Sequence, residues 1–92
     1  MKTHVAHILV EHKYQAEDIL LQIKNGKLFE DLAKKYSTCP SSQQGGDLGV
    51  VDERRLDADF SEAASALLAG QISGIVRTKF GYHIIKKMTE VK

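Results

Sequence analysis

Two short apolar runs, Val5 to Val10 (VAHILV) and residues 81–86 (GYHIIK), lie at opposite ends of a 92-residue chain, and each has a histidine inside it. No other feature restricts the fold as much. VAHILV is β-branched, apolar and short, which suits a strand covered on both faces better than an amphipathic edge. A histidine buried in such a strand must have its ring nitrogens hydrogen-bonded. If the two strands are neighbours, His7 and His83 can bond each other and fix their tautomers; if not, each is a core histidine satisfied by some other group. His4 and His12, by contrast, lie at strand ends.

The residues between these runs set out the remaining elements. Ala16, Ile19, Leu20 and Ile23 recur at helical spacing, and Asn25-Gly26 ends that helix. The spacing returns at Phe29, Leu32, Ala33 and Tyr36, with Lys34 and Lys35 in the last turn, where cations complement the helix dipole. From Ser37 to Asp47 the text STCPSSQQGGD has almost no apolar residue and reads as an irregular surface segment, of the kind that often carries function. Leu48 to Val51 is a brief strand. Phe60, Ala63, Ala64 and Leu67 form a third helical stripe, with Asp57 or Asp59 as its cap and Gly70 closing it. SGIVRT and YHIIKKMT then read as two strands joined by a hairpin at Lys79-Phe80-Gly81. The order is that of an α+β domain with a small, mostly antiparallel sheet, and one domain accounts for residues 1–92.

Composition removes several function classes. A chain this short buries only about 60–65 % of its unfolded surface, which leaves little room for a deep site. Thirteen basic against twelve acidic residues give a net charge of +1, too little to hold a phosphate backbone, so no nucleic-acid partner is expected. The amino end, MKTHVAHILVEHKY, has no signal-peptide core, and no stretch reads as a membrane span; the chain is therefore expected to be cytoplasmic. Cys39 is the only cysteine, so no intramolecular disulfide forms.

Cys39 precedes Pro40 in the polar segment, which makes it a pocket-lining thiol rather than buried filler. A cysteine with two histidines raises the possibility of a thiol hydrolase, but no family signature surrounds it and no oxyanion hole is indicated. The scattered histidines lack the paired spacing of a structural zinc site, and no metal is expected. Gly45-Gly46-Asp47-Leu48-Gly49 lacks the lysine and helix of a phosphate loop; its glycines serve a sharp turn that brings Leu48 beside the sheet.

HILV at 7–10, FEDLAKKYS at 29–37, Cys39, GGDLG at 45–49, Phe60 ahead of an alanine-rich helix and GQISGIVRTKFGYHIIK at 70–86 together resemble the parvulin family of peptidyl-prolyl cis/trans isomerases over nearly the whole chain. In length the chain is similar to the minimal single-domain members of prokaryotes. The resemblance implies a four-stranded antiparallel sheet with about four helices in the order β-α-α-α-β-α-β-β. It also implies acceleration of rotation about Xaa-Pro bonds in polypeptide substrates without a cofactor, and the chain is expected to act as a monomer. It places His7 and His83 as the central histidine pair, with Cys39 and Thr78 close enough to share their hydrogen-bond network. Leu48, Leu56 and Phe60 line the proline pocket, and Phe80 forms part of its wall. Leu56 stands where many members have methionine, a change that conserves volume. Glu11 falls where the phosphate-selective branch has a basic residue, so a phosphorylated substrate would be repelled rather than recruited. A groove that only holds proline-containing or unfolded segments, without catalysis, is the competing function.

Overall fold

The computed structural model describes residues 2–90. Strand β1 (Lys2–Val10) leads into helix α1 (Lys13–Lys24) and helix α2 (Phe29–Tyr36); β2 (Asp47–Asp52), α3 (Ala58–Ser65), β3 (Val76–Thr78) and β4 (Gly81–Glu90) follow. The four strands form one antiparallel sheet in the order β2-β1-β4-β3, so the first and last strands are its centre.

Burial on both sides of β1 explains its unbroken apolar text. Ala6, Ile8 and Val10 face α1 and α2, where they pack with Ile19, Phe29, Leu32 and Ile84. Val5 lies on the opposite face with Phe60, Ala64 and Ile85, under α3. Period-two alternation thus splits one strand between two cores. Each fully buried Ile or Val contributes about 1.5–3 kcal/mol, and Val5, Ile8, Ile84 and Ile85 are all at 0 % exposure.

The polar segment after α2 is more regular than its composition predicts. Pro40–Gln44 is a 3-10 helix, closed by bonds from Ser42 N–H to Cys39 O (2.9 Å) and from Gly45 N–H to Ser42 O (3.0 Å). Pro40 starts it, because a proline at the first helical position has no N–H to leave unpaired. This turn stands where the resemblance implies a further α-helix. A second 3-10 turn, Glu53–Arg55, links β2 to α3.

Glycine is required where this segment meets β1. Gly46 has φ +84°, accepts the His7 N–H at 2.9 Å, and a Cβ on it would lie 2.3 Å from the His7 carbonyl oxygen. Gly49, at φ +73°, accompanies a register break between β1 and β2, which turns both Leu48 and Val51 towards the α3 core.

Two expected boundaries move. The helix through Phe60 ends at Ser65 rather than at Gly70, whose N–H instead donates to the Lys87 carbonyl (2.7 Å) and ties the connection to β4. Of SGIVRT only Val76–Thr78 is regular strand. Upstream, the Ser73 hydroxyl takes the Ile85 N–H (2.9 Å) where a strand carbonyl would otherwise accept it. Among the described residues, no helix is long and apolar enough to cross a membrane.

Candidate active site

On the α3 face of the sheet, odd-numbered residues of β1 and β4 point into a cleft of about 300 Å3. His7 and Leu9 come from β1 and His83 from β4, with Leu9 directly opposite His83. Because β1 and β4 pair without interruption from Val5 to Val10, the two histidines are held one step apart diagonally on the same face. Their rings stack at 5.1 Å and 19°, and the two Nδ1 atoms are 3.0 Å apart. One Nδ1 must donate and the other accept, so the rings hold opposite tautomers.

The chain of contacts continues through Thr78. Its Oγ1 is 2.7 Å from His83 Nε2 and accepts the Phe80 N–H at 3.2 Å. The β3–β4 hairpin, which places Thr78 opposite Gly81, therefore braces the histidine pair from behind. At the other end, His7 Nε2 is buried with no hydrogen-bond partner among the described residues. Burial disfavours a charge on either ring. His7 is lowered to about 4 by desolvation and then by His83, while His83 is lowered by desolvation with opposition from Asp57. Both imidazoles are neutral at pH 7.

Phe60, 4 % exposed, stands edge-on to both rings, at 5.5 Å and 74° to His7 and 5.3 Å and 88° to His83. Asp57 starts its helix, accepting the Asp59 N–H (3.0 Å), and so aims Phe60 at the sheet. Leu48 and Leu56, both half-buried, complete an apolar wall with Phe60, and Phe80, 62 % exposed on the hairpin tip, forms the rim.

The fold thus brings together His7, His83, Cys39, Leu48, Leu56, Phe60 and Phe80 around one cleft, with Thr78 behind it. One expectation needs correction. Cys39 lines the cleft, but its Sγ accepts a hydrogen bond from the Ser41 hydroxyl (3.3 Å), and no bond joins it to either imidazole. The 3-10 turn that begins at Pro40 directs the thiol to Ser41, its own local partner. Three lining residues were not expected: Leu9, Arg55 and Asp57. Leu9 follows from period two once His7 is placed in the site, whereas Arg55 and Asp57 depend on the turn at 53–55. Among the described residues, no group of three His, Cys, Asp or Glu side chains is placed to hold a metal ion.

The Rotamase family profile, described as the PPIC-type PPIASE domain, matches residues 7–89. The foldase protein PrsA of Bacillus subtilis (strain 168) is 49 % identical over 90 residues, which are 97 % of this chain and 31 % of that protein. Its crystal structure superposes with a TM-score of 0.94 at 48 % identity, over 97 % of this chain and 35 % of that one. The solution structure of NmPin, the parvuline of Nitrosopumilus maritimus, gives a TM-score of 0.84 at 35 % identity and covers 95 % of both chains. The chain therefore spans about a third of the PrsA relative and almost the whole of NmPin.

Proposed function

The chain belongs to the parvulin family of PPIC-type peptidyl-prolyl cis/trans isomerases, and on that premise we propose that its cleft binds the prolyl ring of extended polypeptides and stabilises the half-rotated imide non-covalently. The observation that supports this most is the pairing of an apolar wall, Leu48, Leu56 and Phe60, with two neutral, mutually bonded imidazoles in one cleft.

Rotation about an Xaa-Pro bond is opposed by amide resonance, with a barrier of about 18–20 kcal/mol, and no bond has to break. Twisting localises the nitrogen lone pair and shifts charge on the carbonyl. A site that favours this form over either planar isomer by about 5–6 kcal/mol accelerates exchange roughly ten-thousandfold. In this reading the apolar wall grips the ring and excludes water, which strengthens the polar contacts beside it. Two neutral rings suit the task, because an imidazolium would bring bulk water with it. Thr78 acts by positioning His83. Cys39 shapes the wall and forms no covalent intermediate, and no cofactor takes part.

Substrates in this reading are folding polypeptides with exposed prolines, and phosphorylation is not required. Glu11, exposed just beyond β1, supports the second point, because an acidic group at that position repels phosphate.

Exchange spectroscopy on short Xaa-Pro peptides tests the reading. Cross-peaks between cis and trans forms should grow in at catalytic concentrations of protein. Shifted peaks without faster exchange would identify a binding module and refute catalysis.

A further inference from the structure

A second depression, of about 540 Å3, adjoins the proline cleft. The two share Arg55 and Leu56, the ridge at which the cleft and the neighbouring groove meet. Beyond that ridge the groove is walled by Lys2, Val50, Val51 and Asp52. It follows β2, an outer strand whose one neighbour in the sheet among the described residues is β1. Val50 is 54 % exposed, an apolar surface with nothing packed over it.

The charged residues that line this depression are not all paired among the described residues. Asp52 is occupied by Arg54: its Oδ1 accepts the Arg54 backbone N–H (3.0 Å) and Nε (3.2 Å), and its Oδ2 accepts Nη2 (2.9 Å). Asp57 lines the proline cleft and accepts the Asp59 N–H. Lys2 and Arg55, both exposed, make no ion pair among the described residues. The depression therefore holds two cations without an ion-pair partner among the described residues, beside the apolar Leu56.

The residue before a proline is biased to extended backbone, and an extended chain advances about 3.3 Å per residue. A substrate leaving the proline cleft over Leu56 therefore reaches this depression within about two or three residues, beside a strand edge with backbone groups available for pairing. We propose that this depression is a substrate subsite that takes an acidic side chain two or three residues from the proline, held by Arg55 and Lys2. The inference rests on the isomerase reading of the adjoining cleft.

The test is exchange spectroscopy on single-proline peptides with Glu, Lys or Ala placed in turn two and three residues before and after the proline. At one of these positions the Glu peptide should exchange about two- to fivefold faster than its Lys counterpart, the range of a partly exposed ion pair. The preference should shrink in high salt and reverse in a Lys2→Glu/Arg55→Glu double variant. Lys2→Glu alone, which lies outside the proline cleft, should reduce the preference without reversing it. Equal rates for Glu and Lys peptides at every position, or a preference untouched by the double variant, would remove the subsite and leave the isomerase standing. If no peptide is accelerated at all, both readings fall.

Discussion

Lowering the pH from 7.5 to 5 should destabilise the domain through His7, by an amount set by the burial of its ring. In the unfolded chain the imidazole titrates near its ordinary value of about 6.5. In the folded state burial, followed by the neighbouring His83, lowers it to about 4. Above pH 6.5 the ring is neutral in both states and the fold loses nothing. Between 6.5 and 4 the unfolded chain takes up a proton that the native state refuses, so stability falls as pH falls, and the loss is complete below 4. At pH 5 the deficit is about 2 kcal/mol, and its limit at lower pH is about 3.4 kcal/mol. His83, also lowered by desolvation, acts in the same direction. For a domain of this size 2 kcal/mol corresponds to about 8–16 °C in Tm. Asp47 is lowered despite its burial, by the Gly49 N–H and His4, and Asp52 is lowered by its hydrogen bonds from Arg54, so both lose their contribution only below their ordinary range near 4. Thermal melts followed by circular dichroism at pH 7.5, 6 and 5 measure the slope, and His7→Gln should flatten most of it. A wild-type Tm that is unchanged over this range would mean that the folded ring protonates as readily as a free one, and would refute the neutral buried pair.

Phe60→Leu should fold, because it keeps most of the buried volume, yet lose most isomerase activity; wild-type exchange rates would remove Phe60 from the prolyl wall. Phe60→Ala should also cost about 3–5 kcal/mol of stability, since Phe60 packs with Val5, Ala64 and Ile85, and denaturant melts read that loss. Cys39→Ser should retain substantial turnover, and complete loss in a folded variant would restore the thiol as a nucleophile. Gly46→Ala should be among the most damaging single changes, because its Cβ would meet the His7 carbonyl at 2.3 Å and its φ is +84°; a melt within 2 °C of wild type would contradict the close approach.

What could be read from the residues follows their surroundings. VAHILV and YHIIK announce the sheet centre because a strand buried on both faces has no polar alternation to confuse the pattern, and a histidine there needs a partner. The end of α3 was not legible. Leu67 continues the helical spacing, but the Gly70 N–H bonds Lys87, a residue of a strand distant in sequence, and that contact stops the helix early. Nor was the turn at Pro40–Gln44, because serine and glutamine favour no single backbone state. In the site, the two histidines that point straight out of the central strands were legible, whereas Leu9, on the same face of β1, was passed over as one more apolar residue of the run. Arg55 and Asp57 were missed because their direction depends on a short 3-10 turn that leaves no periodic mark. Cys39 was placed at the cleft, but its Ser41 partner arises from a local turn that the sequence does not display.

His7 and His83 are 76 positions apart, on the first and last strands of the sheet. During synthesis on the ribosome the first imidazole emerges early and waits for nearly all the rest of the domain before its counterpart exists. Until then β1 has no β4 beside it, and a nascent chain cut anywhere before His83 lacks the histidine pair. On the proposed reading, turnover would report a completed domain, and the pairing of the first strand with the last, the longest-range contact in the sheet, would also complete the cleft.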